Sequence, residues 1–379
     1  MPKSAPTRTV AIIGTRGYPS YYGGFETAVR KIAPALADAG WDVTVYGRDG
    51  STRDDDPDRD PRVRTRITGG VETKSVSTLS YGFTAVLDAV RRRPDAVLVM
   101  NVANGFWLPL LSLRGIPSLV NVDGIEWERA KWGALAKFVF KSGARFTARF
   151  GTRLVGDARE IVRRWNSEFG RDAVFIPYGG EEPGDLPVEE GLQHRRYVLA
   201  VARFVPENTI SEFIDAARLV AEEHDVVIVG SSGYGGEFDE RVERLAAESD
   251  RVTWLGHVSD DKRLLALWQH AGAYFHGHSV GGTNPALVQA MLCGAPIVAR
   301  DTVYNREVLE ASGEFVQPEP GAIAQALSDL LSDPARQESL STSARDRARQ
   351  HYTWEGVCRR YEEELASLVD SRRSWVREP

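Results

Sequence analysis

Short apolar runs alternate with helical patterns along most of the chain. Continuous apolar runs lie at 9–13, 42–46 and 96–100, and apolar residues recur every three or four positions in 25–39, between the first two runs. A continuous apolar run is typical of a strand buried on both faces of a parallel sheet. The alternation of strands and helices therefore predicts an α/β protein with helices on both faces of its sheets.

The alternation occurs in two series, separated by a polar segment rich in glycine and proline at 181–187. Because such segments commonly link domains, we expect a first domain at 1–185 and a second at 186–352. Each is predicted to be a Rossmann-like, doubly wound parallel sheet, and the two are expected to face a central cleft. The apolar runs of the second series are 197–201, 226–230, 252–255, 273–275 and 297–299.

Composition limits the classes of function. Of the 379 residues, 42% are hydrophobic and 26% are charged, as in an ordinary water-soluble protein. No apolar run approaches the roughly 20 residues that span a bilayer, and residues 1–8 lack the apolar stretch of a signal peptide. Because Cys293 and Cys358 cannot form a disulfide framework, the sequence predicts a cytoplasmic location. A net charge of −6 argues against a general nucleic-acid binder.

A long glycine-rich loop follows the first apolar run. Residues 14–26 contain Gly14, Gly17, Gly23 and Gly24, and a doubly wound fold places its phosphate-binding loop at this point. The spacing is not G-x-G-x-x-G, which disfavours a dinucleotide-dependent oxidoreductase. The last two glycines stand directly before a helix, which favours close approach of a ligand, although an ordinary turn remains the alternative.

A second glycine-rich turn lies at 281–284, between an apolar run and a helix that starts at Pro285. The amino end of a helix has unpaired backbone N–H groups and the positive end of the helix dipole, so it can bind phosphate. Arg203 follows the first apolar run of the second domain, a position suited to binding a diphosphate through two parallel hydrogen bonds. The alternative is an ordinary surface arginine. Two such loops on facing domains predict a nucleotide-sugar site.

Together these segments resemble the retaining glycosyltransferases of family 4, which have the GT-B fold. The chain is more closely similar to a bacterial subgroup called rhamnosyltransferase-like, a name used for surface-polysaccharide enzymes. The resemblance covers nearly the whole chain and implies that 353–379 form a C-terminal helix crossing back toward the N-terminal domain. Its motifs are IIGTRGYPSYYGGFET at 12–27, VNVDGIEWERAKW at 120–132, RFVPEN at 203–208, HGHSVGGTNPALVQAM at 276–291 and YNREVL at 304–309.

The resemblance implies a role for each matching residue. Arg203 is expected to neutralise the leaving diphosphate, and Asp123 to lie beneath the sugar and orient the acceptor hydroxyl. Glu26, Glu126 and Trp127 are expected on the acceptor side, although the tryptophan could equally be a core residue. The implied donor-binding residues are Gly23, Gly24, His278, Gly281, Gly282, Thr283, Asn284, Gln289 and Glu307.

The chain departs from the family pattern at three positions. Many members have two glutamates eight residues apart around the second glycine turn, where this chain has Gly281 and Gln289. The second glutamate normally holds the ribose hydroxyls in a charge-assisted hydrogen bond, and a glutamine would bind them more weakly. The family lysine five residues after the arginine is replaced by Asn208. The subgroup itself tends to lack that lysine and the first glutamate.

The residues and the resemblance predict a metal-independent retaining transferase of a hexosyl or deoxyhexosyl group, acting without a cofactor. Its partners would be a nucleotide-diphosphate sugar and a glycan or lipid-linked acceptor. One alternative is a sugar-nucleotide epimerase of the same architecture, but Gly281 and Gln289 do not supply the acid–base carboxylates of such enzymes. The second is a catalytically weakened nucleotide-sugar-binding protein, which Gln289 favours. The sequence leaves the donor base, sugar, acceptor and oligomeric state open.

No metal site is expected. Asp54, Asp55 and Asp56 resemble metal-binding carboxylates but lie in a charged loop without a flanking strand, so a solvated loop is favoured. His276 and His278 stand two residues apart at the end of an apolar run and lack a third ligand. A structural role or a donor contact is therefore favoured over zinc.

A basic and aromatic stretch at 129–149 predicts a helix that could lie on the inner face of an anionic membrane, beside a lipid-linked acceptor. The alternative is a helix packed on the sheet with its lysines in solvent. The sequence also favours a hinge near 181–195, which would let the domains close on the donor.

Overall fold

The computed structural model describes residues 8–21, 23–53, 55–72, 77–122, 124–129, 132–233 and 235–375. Contacts divide the chain into two units. The first comprises the described residues of Met1–Pro177 and Trp354–Pro379, and the second those of Tyr178–Thr353. The sequence places the corresponding boundaries after residues 185 and 352.

A parallel sheet forms the centre of the first unit. Its strands are β1 (Thr9–Ile13), β2 (Asp42–Gly47), β3 (Arg64–Ile67), β4 (Ala96–Met100), β5 (Ser118–Asn121), β6 (Arg153–Gly156) and β7 (Val174–Phe175). They are arranged in the order β3-β2-β1-β4-β5-β6-β7. The order reverses between β1 and β4, and a doubly wound sheet binds its ligand at the carboxyl ends of the strands on either side of this reversal.

Helices follow most of these strands. They are α1 (Gly24–Asp38), α2 (Ser77–Arg92), α3 (Leu108–Leu113), α4 (Ala134–Phe150) and α5 (Arg159–Phe169), with short 3₁₀ helices at Val102–Trp107 and Glu126–Glu128. α1 buries Val29, Ile32 and Leu36, which recur every three or four residues and so share one face. No helix in the described part of the chain is long and apolar enough to cross a membrane.

The second unit repeats this architecture. Its strands are β8 (Tyr197–Val201), β9 (Asp225–Val229), β10 (Val252–Gly256), β11 (Ala273–His276), β12 (Ile297–Arg300) and β13 (Glu314–Val316). They form a parallel sheet in the order β10-β9-β8-β11-β12-β13, which reverses between β8 and β11. The helices are α6 (Ile210–Val220), α7 (Glu237–Glu248), α8 (Asp261–His270), α9 (Pro285–Leu292), α10 (Val303–Leu309), α11 (Pro320–Leu331) and α12 (Pro334–His351), with a 3₁₀ helix at Pro206–Asn208.

The last helix, α13 (Trp354–Trp375), packs within the first unit. It buries Leu365 and Val369, and the hydroxyl of Tyr361 accepts a 2.7 Å hydrogen bond from the amide of Asn121 at the end of β5. The chain therefore enters the second unit after residue 177 and leaves it before residue 354.

Three strands are not apparent from apolar runs. β3, β7 and β13 lie at the edges of their sheets and are only partly buried. An edge strand has one neighbour and one open side, so its sequence is under less pressure to be continuously apolar. The continuous runs of the central strands β1, β4, β8 and β11 do form buried strands, as predicted.

The segment near 181–195, which was expected to act as a hinge, is hydrogen-bonded within the second unit. Gly180 donates to the Tyr352 carbonyl at 2.9 Å, and the Leu186 N–H donates to Gln269 Oε1 at 3.0 Å. Further along, Glu189 forms a 2.6 Å ion pair with Arg263. These contacts make the segment a part of the second unit rather than a free linker.

Candidate active site

Two loops meet at the carboxyl edge of the second sheet, where the strand order reverses. One follows β8 and carries Arg203, and the other follows β11 and begins at Gly277. Thr209 Oγ1 donates a 2.5 Å hydrogen bond to the Gly277 carbonyl. A Cβ at Gly277 would collide with the Asn208 carbonyl, so the close approach of the loops requires glycine there. The position of Arg203 is therefore set by contacts on both sides of the reversal.

Arg203 is exposed at this edge and forms no ion pair with any residue in the described part of the chain. Its carbonyl accepts a 2.8 Å hydrogen bond from the buried amide of Asn208. The asparagine that replaces the family lysine thus closes the loop on itself. The exposed guanidinium is left available to an anion, because surface arginines bind phosphate oxygens through paired hydrogen bonds.

A pair of histidines lies on the other side of the reversal. The fully buried His276 stacks on His278 with ring centroids 4.6 Å apart, and its Nδ1 is 3.2 Å from the Tyr274 hydroxyl. Burial lowers the pKa of His276 well below its ordinary value of 6.5, and the neighbouring His278 acts in the same direction. His276 is therefore a neutral supporting residue, while the half-buried His278 lies nearer the surface of the edge.

The glycine turn predicted at 281–284 leads into α9 as expected. Gly281 has φ +98°, a backbone conformation that a side chain would strain, so the position of the first family glutamate is one that favours glycine here. Asn284 caps the helix by accepting a 2.9 Å hydrogen bond from the Ala286 N–H. Gly282 is half-buried and Thr283 is buried within the turn. The turn presents the positive end of α9 at the same edge as Arg203.

Gln289 lies on α9, and its side-chain amide pairs with the backbone of Glu181. Its oxygen accepts from the Glu181 N–H at 3.0 Å, and its nitrogen donates to the Glu181 carbonyl at 2.6 Å. A glutamate could accept the first of these bonds but would place a carboxylate against the carbonyl oxygen. The amide of Gln289 therefore complements both backbone groups of Glu181. To bind ribose, Gln289 would have to break its hydrogen bonds to Glu181.

Glu307 is carried by α10, which is tied to the histidine loop. Asn305 Nδ2 donates to the His278 carbonyl at 3.0 Å and to the Arg300 carbonyl at 2.8 Å. Glu307 is half-buried, and its carbonyl accepts a 2.9 Å hydrogen bond from Arg347. These bonds hold α10 against the edge that also carries Arg203 and the glycine turn.

The reversal point of the first sheet is equally close-packed. A Cβ at Gly14, which has φ +94°, would collide with the Met100 carbonyl at the end of β4. The amide of Asn104 donates to the same carbonyl at 3.0 Å. The N-terminal loop is also hydrogen-bonded to the segment that follows β2, because the Arg53 N–H donates to the Pro19 carbonyl at 3.1 Å. Gly14 is therefore required by the fold.

Gly23 and Gly24 differ from Gly14. Gly23 has the extended conformation that any residue adopts, and a Cβ there would make only an ordinary contact with the carboxylate of Glu26. Gly24 is the first residue of α1. Glu26 is buried and accepts a 3.1 Å hydrogen bond from the Arg16 N–H, so it fixes the loop. The fold itself does not demand glycine at 23, which leaves ligand approach as an explanation for it.

The third predicted segment of the first unit follows β5. Asp123 lies outside the described residues. Glu126 forms a 2.7 Å ion pair with Arg129 and accepts a 2.8 Å hydrogen bond from the Trp132 indole. Trp127 is buried edge-on against Trp165 and Phe169, which makes it a core residue, the second of its two interpretations. It is not at the surface of the sheet edge.

The acidic loop of the first unit contacts the glycine loop. Asp54 lies outside the described residues, and the Asp60 N–H donates to the Tyr18 hydroxyl at 3.1 Å. Among the residues that the structure describes, no group of three or more His, Cys, Asp or Glu side chains could hold a metal ion.

Glu207 and Ser279 join the site without having been singled out from the sequence. The Ser279 N–H and hydroxyl donate to the Glu207 carbonyl at 2.9 and 2.8 Å. The Glu207 Oε1 atom is buried and has no hydrogen-bond partner within the described chain. The signal available was the Pro-Glu-Asn turn that begins three residues after Arg203, which indicates a structured loop but not which side chain faces a ligand.

Two family models match the chain, one in each half. Residues 23–179 match the family described as Glycosyl transferase 4-like domain, and 186–347 match Glycosyl transferases group 1. Phosphatidyl-myo-inositol mannosyltransferase of Mycobacterium leprae is 29% identical over 214 residues, which cover 52% of this chain and 54% of that protein. The chain spans about half the length of the curated relatives it matches.

Two solved structures share the architecture over nearly the entire chain. Sucrose-phosphate synthase from Thermosynechococcus elongatus has a TM-score of 0.78 at 21% identity and covers 96% of this chain and 100% of that one. HepE of Anabaena in complex with UDP has a TM-score of 0.73 at 16% identity, covering 95% and 100%. At these identities the likeness establishes the fold alone, and it confirms the predicted GT-B class.

Proposed function

Because the chain carries the two domains of a GT-B glycosyltransferase of family 4, we propose that it moves a sugar from a nucleotide diphosphate to a glycan or lipid-linked acceptor, with retention. The observation that carries the proposal is the carboxyl edge of the second sheet. There the exposed Arg203 and the amino end of α9 lie on loops that meet at the strand reversal. Such an edge is suited to a diphosphate.

In the proposed reaction, the bond from the sugar carbon to the diphosphate breaks through a transition state with oxocarbenium character. Negative charge builds on the leaving diphosphate. Arg203 and the positive end of α9 would stabilise that charge, and one preorganised donor of this kind is worth on the order of 2–4 kcal/mol. This chemistry is electrostatic and can proceed without a metal.

We propose that the anomeric configuration of the sugar is retained because the acceptor attacks the sugar carbon from the face that the diphosphate leaves. No protein nucleophile takes part in this reaction. Asp123 stays a prediction as the residue that orients the acceptor hydroxyl. Gly23, whose identity the fold does not require, would allow the donor or the acceptor to approach the first unit.

The donor is proposed from chemistry and from the named relatives together. A mannosyltransferase is among the curated relatives, and HepE was solved with UDP. The first panel should therefore contain GDP, UDP, dTDP and their sugars, with GDP-mannose included. The rhamnosyltransferase-like subgroup and a role in surface-polysaccharide synthesis stay proposals, since nothing in the site selects a deoxysugar.

The test begins with binding. Calorimetry and thermal unfolding with each nucleotide, with and without EDTA, should identify one base that raises the melting temperature equally in both. Transfer is then measured with that base's sugars, following the anomeric configuration of the product by NMR. An inverted product would contradict retention, and loss of binding in EDTA would contradict the metal-independent proposal.

The same assay separates the alternatives. A sugar-nucleotide epimerase would interconvert the free donor in the absence of any acceptor. A weakened binding protein would bind the nucleotide without turnover on any acceptor, and Gln289 would then be its most direct sequence explanation.

We also propose that the first unit rests on a membrane while acting on a lipid-linked acceptor. α4 exposes Leu135 by 78% and Phe138 by 65%, and the neighbouring Leu113 at the end of α3 is 83% exposed. Arg145 and Arg149 lie on exposed positions of the same helix. Exposed apolar side chains beside basic ones suit an anionic lipid surface.

Vesicle flotation tests this docking. Leu135→Asp with Phe138→Asp should abolish binding to phosphatidylglycerol vesicles, and Leu219→Asp, at an exposed apolar position of the second unit, should not. Equal flotation of both variants would remove α4 from the contact.

A further inference from the structure

A second arginine lies at the carboxyl edge of the second sheet. Arg300 is the last residue of β12, and β12 pairs with β11 beside the strand reversal. The Nη1 atom of Arg300 donates a 2.9 Å hydrogen bond to Thr209 Oγ1, and the same hydroxyl donates to the Gly277 carbonyl. The guanidinium of Arg300 therefore lies where the loops after β8 and β11 meet.

Arg300 has no carboxylate as a close partner. It is half-buried and forms no ion pair with any residue in the described part of the chain. The adjacent Asp301 pairs with Arg306 at 2.5 Å instead. Glu207 stands two residues from Thr209 in the sequence, but its buried Oε1 atom has no hydrogen-bond partner among the described residues. A half-buried charge without a close counter-ion is unfavourable, and an anion from solution would relieve this cost.

The backbone beside the guanidinium is also positive. α6 begins at Ile210, directly after Thr209, whose side chain does not cap the helix because its hydroxyl is bound to Gly277 and Arg300 instead. The first N–H groups of this helix and the positive end of its dipole therefore lie next to Arg300. Glu212, in the first turn, offsets part of this field. An anion at this place would be stabilised from two directions, by the helix end and by the guanidinium.

Arg203 and Arg300 stand at opposite ends of one folded loop. The loop runs from Arg203 to Thr209, and the Asn208 amide closes it by donating to the Arg203 carbonyl at 2.8 Å. Arg203 begins the loop, and Arg300 is hydrogen-bonded to its last residue. A diphosphate carries its charge on two phosphoryl groups, and each of them can bind one guanidinium. Two cations on one compact loop suit a diphosphate better than a single carboxylate.

We infer that Arg300 is a second diphosphate-binding residue of the donor site and shares with Arg203 the negative charge of the leaving group. The inference rests on the proposed glycosyl transfer for the identity of its ligand as the diphosphate of the donor. Thr209 holds the guanidinium of Arg300 in position before the donor arrives. A preorganised cation of this kind stabilises the charge that builds up as the bond to the sugar breaks.

Inorganic pyrophosphate is the first probe, because it presents the diphosphate without base or sugar. In calorimetry with EDTA at constant ionic strength, Arg300→Gln should weaken binding about tenfold or more, as expected for loss of a charge-assisted contact. Arg241→Gln is the matched control. Arg241 is also partly buried and donates at 2.8 Å to a hydroxyl, that of Ser211 in the first turn of α6, but Asp215 neutralises its charge. This control should bind pyrophosphate as the parent does. Equal affinity in Arg300→Gln and the parent would overturn the inference.

A second comparison separates diphosphate binding from a purely structural role of the hydrogen bond to Thr209. For the base identified by the nucleotide panel, Arg300→Gln should weaken binding of the nucleoside diphosphate and leave binding of the nucleoside unchanged. Arg300→Lys guards against a variant that fails to fold, because it keeps the charge and loses only the planar fork. It should retain more affinity for the diphosphate than Arg300→Gln. Equal losses for nucleoside and nucleoside diphosphate, or in the two variants, would contradict the inference.

The outcomes also distinguish this inference from the proposed function. If a nucleoside diphosphate binds and its sugar is transferred, but its affinity ignores Arg300, the inference alone fails. If no nucleotide binds but pyrophosphate binds and depends on Arg300, the proposed function fails and the anion contact of Arg300 stands. If neither pyrophosphate nor any nucleotide binds, both are wrong.

Discussion

Two arginines stand at strand ends in this chain, Arg203 after β8 and Arg48 after β2, and they differ in burial. Arg203 is exposed on a hydrogen-bonded loop, whereas Arg48 is buried against Tyr81, near the exposed carboxylate of Glu72 and the buried one of Glu26. An exposed cation can bind and release a bulky diphosphate, because water solvates it when the ligand departs. A buried cation interacts more strongly with the carboxylates around it and is less accessible to a ligand.

The glycines of the two edges show a second difference. Gly14, Gly277 and Gly281 are required by a collision or a positive φ, whereas Gly23 is not. The fold therefore explains the glycine at the first three positions. At Gly23 the explanation that remains is the approach of a ligand. The first two predictions below test these contrasts, and the next two concern the support of the second sheet's edge.

The largest expected effect is on catalysis at the exposed arginine. Arg203→Ala should lower kcat/KM by roughly 30- to 1,000-fold, because it removes a donor worth on the order of 2–4 kcal/mol in the transition state. Arg244→Ala, at an exposed position of α7, is the matched control and should change little. Steady-state kinetics with the identified donor makes the measurement, and unchanged turnover would remove Arg203 from the leaving-group role.

The glycine contrast predicts opposite behaviour in two variants of one loop. Gly14→Ala should destabilise by more than about 2 kcal/mol, because it combines a positive φ with a backbone collision. Gly23→Ala should change stability by less than about 0.5 kcal/mol and still weaken ligand binding. Thermal unfolding and calorimetry of both variants make the test. A stable Gly14→Ala protein would show that the loop is not held as described.

A smaller effect is expected at the glutamine of α9. Gln289→Glu should destabilise by about 1–3 kcal/mol, because its carboxylate would face the Glu181 carbonyl that the amide now binds. Gln289→Met is the control, because it keeps a side chain of similar size and removes both hydrogen bonds without adding charge. If nucleotide binding tightens in Gln289→Glu while the melting temperature is unchanged, this side chain binds ribose instead of the Glu181 backbone.

The smallest effect concerns pH. Burial lowers the pKa of His276 in the folded chain, so below its ordinary value of 6.5 the unfolded chain binds a proton that the folded chain does not. Stability should therefore fall as pH decreases from 6.5 toward the lowered folded value, by at most about 1.4 kcal/mol per pH unit for one proton. His276→Gln should reduce the slope of unfolding free energy against pH. An unchanged slope would mean that another group titrates.

Much of the fold follows from local pattern. The central strands β1, β4, β8 and β11 are buried on both faces, so each is a continuous apolar run that can be recognised without a structure. Three of the four edge strands, β3, β7 and β13, are not, because a strand with one neighbour has an open side and can have a mixed sequence; the edge strand β10 is the exception. The helix starting at Pro285 was predicted from the glycine turn and proline before it.

The site was predictable only in part. The positions of Arg203 and of the glycine turn follow from strand order, because ligands bind at carboxyl ends of parallel strands. The remaining assignments depend on burial. Trp127 is a core residue beside Trp165, and Arg48 is a buried charged residue. Neither fact can be read from spacing, since both depend on residues far along the chain.

The sequence by itself determined that this chain forms two parallel α/β sheets with glycine-rich loops at their carboxyl edges, because hydrophobic period and glycine placement are local properties. Only the tertiary structure decided which glycines the fold requires, that Gln289 binds the backbone of Glu181, and that Arg48 is buried against Tyr81. Those outcomes depend on contacts between segments that are distant in sequence. Such contacts, and the burial that comes with them, exist only once the chain has folded.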